Sequence, residues 1–154
     1  MQELLEKLTD WKPTQPGTNV LQMDLNPTGA TVAIAAQKQD SLSCLVGEMT
    51  VSSPVGPAGS GVPLSERASA MADRLTGLME NIRVIEVDAG AEVAVLRSSA
   101  PAVRGDAKHY YEVKVTPTVA NLKRYRTESG SNSRESIGYA LTHEVLAKVA
   151  DDLI

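Results

Sequence analysis

Leu4, Leu5, Leu8 and Trp11 fall at i, i+1, i+4 and i+7, the spacing of one apolar helical face, with Glu3, Glu6, Lys7 and Asp10 opposite. This predicts a short amphipathic helix over residues 2–11. The segment Lys12-Pro13-Thr14-Gln15-Pro16-Gly17 ends it, since two prolines remove donors and a glycine permits a turn. From Asn19 to Val51 the apolar period drops to two, which predicts strands near 19–25, 30–37 and 42–51. Asn26-Pro27-Thr28-Gly29 has the composition of a tight turn, and Lys38-Gln39-Asp40 is a polar connection of hairpin length. Together they describe an antiparallel meander.

Residues 52–63 form a Gly/Pro/Ser-rich loop without periodicity. After it Leu64, Ala68, Met71, Ala72, Leu75, Leu78 and Met79 recur at helical spacing, with Glu66, Arg67, Asp73 and Arg74 assigned to other faces, and a helix is expected over 64–80. Strand patterns return at 82–88 and 91–98, joined by Asp88-Ala89-Gly90, and at 109–116, where Tyr111, Val113 and Val115 alternate with Tyr110, Glu112 and Lys114. Thr116-Pro117-Thr118 breaks the run before a strand at 119–127, and a polar loop follows at 128–133. Asn132 with Glu135 reads as a capping box for a final helix carrying Ile137, Leu141, Val145, Val149 and Leu153 on one stripe. The predicted order is α-β-β-β-α-β-β-β(-β)-α. Strands that arrive in hairpins rather than alternating with helices imply an α+β class, an antiparallel sheet of about six or seven strands with helices packed on one face. The 154 residues are expected to form a single domain over 1–154.

Composition narrows the chemistry. There is no Phe and only one Trp and four Tyr, so the core must be built from Val, Leu, Ile, Ala and Met, and few rings are available to stack on bases or sugars. A net charge of −4 disfavours non-specific attraction to nucleic acid or anionic lipid. Cys44 is the only cysteine, which excludes an internal disulfide and fits a reducing, cytoplasmic setting. The N-terminus has no basic region followed by a long apolar run, and no stretch approaches the roughly 18 apolar residues of a membrane span.

Each candidate for chemistry has a competing plain reading. His143-Glu144 lacks the second imidazole of a zinc motif, because Ala147 stands where it would be. His109 has Asp106 and Glu112 nearby in sequence, yet on a strand His109 and Glu112 face opposite ways. Cys44, within an apolar strand, reads as a small core residue. Gly56, Gly59 and Gly61 precede a helix and loosely resemble a phosphate nest, but Pro57 and Pro63 remove donors and the Lys-Ser/Thr pair of a phosphate-binding loop is missing. Lys123-Arg124-Tyr125-Arg126 is the one basic run with an aromatic inside it, and reads equally as a solvated edge protected by charge. No metal, cofactor or catalytic residue is therefore assigned.

The Leu4/Leu5/Leu8 helix, the Val32/Ile34 and Leu42/Cys44/Val46 strands and the Leu64 to Met79 helix, in this order, make the chain similar to type III secretion chaperones and related chaperone-like domains. That resemblance implies a fold that dimerises and holds an extended polypeptide along helix and sheet surfaces, without cofactor or catalysis. The expectation is a non-enzymatic binding domain with a protein or peptide partner and a homodimeric assembly. Leu64, Met71, Leu75, Leu78 and Met79 are the candidate partner surface. The alternative is a small enzyme or small-ligand-binding protein with a site near His109 or the 52–63 loop.

Overall fold

The computed structural model describes residues 2–13, 15–25, 28–53 and 62–154. In chain order these form α1 (Gln2–Asp10), β1 (Asn19–Leu25), β2 (Ala30–Gln39), β3 (Ser43–Ser52), α2 (Leu64–Arg74), β4 (Ile82–Asp88), β5 (Val93–Ser98), β6 (Ala102–Arg104), β7 (Ala107–Val115), β8 (Val119–Glu128), β9 (Arg134–Ile137), β10 (Tyr139–Thr142) and α3 (His143–Asp152). The class is α+β. The strands build one antiparallel sheet in the order β1-β2-β3-β8-β7-β5-β4, with β10 added to β3, β6 to β7 and β9 to β8. The helices pack against it. Asn26, Pro27 and most of the 52–63 loop lie outside the described residues.

Period-two patterning sets the two faces. Along β2, Ala30, Val32, Ile34 and Ala36 are buried and the residues between them are half-buried. Val32 and Ile34, with Met49 and Val51 of β3, Leu122 of β8, Val113 of β7 and Leu96 of β5, meet Leu4 and Leu8 of α1, Met71 of α2 and Leu146 and Val149 of α3 in one cluster. Each large side chain buried there contributes roughly 1.5–3 kcal/mol of transfer free energy. With no Phe available, the aromatic contribution comes from Tyr111 and Tyr139, which meet edge to face at 5.6 Å, and the Tyr139 hydroxyl donates to the Leu122 carbonyl at 3.0 Å. Gln39 closes the C-terminal end of α1, its Nε2 donating to the carbonyls of Leu8 (3.0 Å) and Trp11 (2.5 Å).

Two sequence expectations need correction. The final helix does not begin after Asn132. Residues 134–137 and 139–142 are the strands β9 and β10, and α3 starts only at His143, capped by the Thr142 hydroxyl, which accepts from the Val145 amide. The reason is a gap in the sheet. β3 and β8 pair only over Met49–Ser52 and Val119–Leu122, then diverge. β9 continues on β8 over Arg124–Thr127, and β10 continues on β3 over Ser43–Val46. Ladder hydrogen bonds offered by two unsatisfied strands outweigh the helical spacing of Ile137 and Leu141. The second correction is that α2 stops at Arg74. Leu75 and Leu78 stay buried beyond its end, but Thr76 and Gly77 are weak helix formers, and Met79 takes a left-handed φ of 62° that turns the chain into β4.

Candidate functional site

The groups that could have formed a catalytic cluster are dispersed. Glu112 lies on the sheet face away from the helices, only 6% exposed, where Arg97 (2.6 Å) and Arg134 (2.9 Å) both donate to its Oε1. Burial alone would raise its pKa, but the hydrogen bonds from Arg134 and Arg97 outweigh that and hold it below the usual carboxylate value. Tyr110 and Tyr125 flank this group at 5.9 Å from each other, with the guanidinium of Arg97 5.1 Å from the Tyr110 ring and that of Arg134 3.7 Å from the Tyr125 ring. The result is a roof over β7 in which two arginines share the one Glu112 carboxylate. His109 points to the other face, where burial and then Arg124, Arg104 and Arg126 lower its pKa. Asp106 is exposed in the β6–β7 turn. His143 is 3% exposed at the start of α3. Cys44 is buried, and burial followed by the nearby Asp40 carboxylate pushes its thiol up to about 11, so it is protonated and unreactive at neutral pH. Among the described residues no three His, Cys, Asp or Glu side chains gather where they could hold a metal ion, and no helix is long and apolar enough to cross a membrane.

The basic run of β8 does not make one patch. Strand alternation sends Lys123 and Tyr125 to the outer face and Arg124 and Arg126 to the inner one. Each cation also has a carboxylate: Glu48 lies 4.0 Å from Lys123, Glu80 3.0 Å from Arg124, and Glu128 2.7 Å from Arg126. Arg124, 9% exposed, additionally covers the Tyr111 ring at 4.2 Å.

The stripe assigned to a partner on the second helix divides in two. Met71, Leu75 and Leu78 are at most 3% exposed and belong to the core, because this stripe is the face by which α2 docks on β4 and β5. They are unavailable to a partner. Leu64 is half-buried, and Met79, 93% exposed, stands in solvent at the turn before β4. Gly56, Gly59 and Gly61 lie outside the described residues. β4 itself is an edge strand, paired only to β5, and it exposes Ile85 (45%) and Val87 (39%). A bulge between Val84 and Glu86 resets its facing, so that Arg83, Glu86 and Asp88 lie opposite Arg97, Val95 and Val93 on the outer face, while Val84 and Val87 lie opposite Leu96 and Ala94.

A second feature occupies the end of the sheet. Between the N-terminus of α2 and the tips of the β4–β5 and β7–β8 hairpins is a cleft of about 330 Å³, lined by Val62, Pro63, Leu64, Arg67, Ala89, Glu92 and Pro117. Arg67 is 6% exposed, a correction to its assignment to a face other than the apolar one. It sits three residues after Leu64 and four before Met71, within the apolar stripe, and that position was the available signal. The β4 edge had no comparable signal, since the bulge that decides its facing is not visible in the sequence. Neither a protein-family model, nor a curated protein, nor a solved structure matches the chain.

Proposed function

We propose that this domain is a non-enzymatic, chaperone-like binding module that pairs with a second copy of itself through β4 and offers the joined surface to a protein or peptide partner. The observation that carries the reading is the charge pattern of the β4 edge. In an antiparallel pairing centred between Ile85 and Glu86, Arg83 of one copy meets the partner's Asp88 and Val84 meets the partner's Val87. An unbulged strand would put Arg83 and Asp88, five positions apart, on opposite faces; the bulge puts them on one. Arg83 also faces Arg97 across β5, a like-charge pair that an added carboxylate relieves. Asp88 has Oδ1 engaged by the Ala91 amide at 3.0 Å, which leaves Oδ2 for a partner. Met79 then flanks the paired strands as an adaptable apolar contact.

Sedimentation of the wild-type protein over a wide concentration range should give a weak, reversible dimer, as expected of an interface this small. Arg83→Asp and Asp88→Lys should each weaken association at least about tenfold, because each change places like charges opposite one another twice in a symmetric pair. Mixing the two variants should restore a heterodimer, because the introduced aspartate then meets the introduced lysine on one side while the native Asp88 of one variant meets the native Arg83 of the other. A folded wild type that stays monomeric throughout, or folded variants that do not associate when mixed, would overturn the reading.

A further inference from the structure

The cleft at the N-terminus of α2 is not used by the β4 pairing, and Arg67 makes it unusual. A guanidinium withdrawn from water is costly unless its charge and donors are met. Here Nε donates to the Thr116 carbonyl at 3.1 Å, Nη2 has no hydrogen-bond partner, and no carboxylate forms an ion pair with Arg67 among the described residues. Burial, followed by repulsion from Arg74, lowers the pKa of this guanidinium, which is the signature of a cation short of a counter-charge. The helix end adds to the same deficit. Pro63 is the residue before α2 and no side chain caps the first turn, so the leading amides and the positive end of the helix dipole face the same region.

We infer that this cleft binds a small organic monocarboxylate with a short branched apolar group, its carboxylate on Arg67 and its alkyl group against Val62, Leu64 and Pro117. The walls are apolar apart from Arg67 and Glu92, and the volume lies at the low end for small-molecule sites, which limits the ligand to a few carbons. The Glu92 carboxylate on the lining, held with a left-handed φ of 54°, disfavours a second negative charge on the ligand, so a monoanion is selected over phosphate.

The test is a titration of the intact protein followed by backbone amide NMR, with isovalerate, its neutral isostere isovaleramide, and inorganic phosphate as probes. Isovalerate should give saturable shifts confined to the residues around Val62, Leu64, Ala89 and Pro117. Isovaleramide should bind at least about tenfold more weakly because it brings no counter-charge to the guanidinium, and phosphate at least about tenfold more weakly because its second negative charge meets Glu92 and it has no alkyl group for the apolar walls. Arg67→Met should abolish the shifts, and Glu92→Gln, a surface change that leaves the fold intact, should tighten isovalerate binding severalfold. If Arg67→Met does not fold, the amide comparison and Glu92→Gln decide. No saturable shift with isovalerate, equal binding of the amide, tighter binding of phosphate, or unchanged affinity in Glu92→Gln would each overturn the inference. The site does not depend on the β4 pairing, and a monomeric Arg83→Asp variant should bind isovalerate as the wild type does.

Discussion

Glu112 and Arg67 are both charged and both more than nine-tenths buried, and their surroundings give them opposite consequences. Glu112 receives two charge-assisted hydrogen bonds from arginines that keep part of their surface in water, so the desolvation of its carboxylate is offset on the spot. Replacing it with Gln weakens both bonds, and a loss of roughly 1–3 kcal/mol in chemical denaturation at neutral pH is expected. The pH dependence has a definite sign. Because the folded pKa lies below the usual 4.5, the carboxylate's contribution is complete above that value and is withdrawn as the pH falls through the lower folded one. The wild type should therefore lose more stability than Glu112→Gln between about pH 5 and about pH 3. Parallel acid limbs in the two proteins would show that Glu112 is not the group responsible. Among the described residues Arg67 has one carbonyl and no counter-charge, which is why a ligand is inferred at it and not at Glu112.

At the scale of elements, the departure of β8 from β3 decides the last third of the fold. β9 and β10 each pair with one of the diverging strands, and the single residue between them, Gly138, passes close to β2 and β3. A Cβ at Gly138 would stand 2.9 Å from the Gln37 Oε1 and 3.0 Å from the Leu45 Cδ1. Gly138→Ala should therefore cost about 1–3 kcal/mol, since both side chains must shift. Gly47, in β3, is the matched control: a Cβ there meets nothing nearer than 3.5 Å, so Gly47→Ala should change stability by less than about 0.5 kcal/mol. Comparable losses in the two variants, measured by thermal or urea unfolding, would mean that close approach is not what requires glycine at 138. The same comparison tests whether β9 and β10 are a fixed part of the sheet.

The whole molecule is a sheet with a protected middle and edge strands β1 and β4. β7 pairs with β5, β6 and β8, and its residues 110–113 are buried on both faces, because the Arg97-Glu112-Arg134 roof covers the outer one. From Ile85 to Glu92 every residue is exposed. Amide hydrogen exchange at low protein concentration should accordingly be slowest in β7 and the adjoining half of β8, and fastest from 85 to 92. At concentrations where the protein self-associates, protection should rise along β4 and not along β1, the opposite edge. Equal gains at both edges would disagree with pairing through β4.

How much was legible in the sequence depended on whether a signal was local. The amphipathic spacing of Leu4, Leu5 and Leu8 and the alternation through β1, β2, β3, β7 and β8 are repeated over several residues, so burial of one face follows from pattern alone; the α+β class and antiparallel hairpin order came from these. The opposite facing of His109 and Glu112 was legible for the same reason, because strand geometry alternates without reference to neighbours. The rest needed tertiary structure. Helical spacing at Ile137 and Leu141 lost to two strands that required partners, and paired residues such as Cys44 and Leu141 lie far apart along the chain. Met71, Leu75 and Leu78 formed a legible apolar stripe, but whether a stripe meets a partner or the protein's own sheet is settled only by packing. Arg67 fell on that stripe, and a bulge in β4 placed Arg83 and Asp88 together. Local periodicity thus determined which faces are apolar, and only the assembled sheet decided what covers them and which charges are left over.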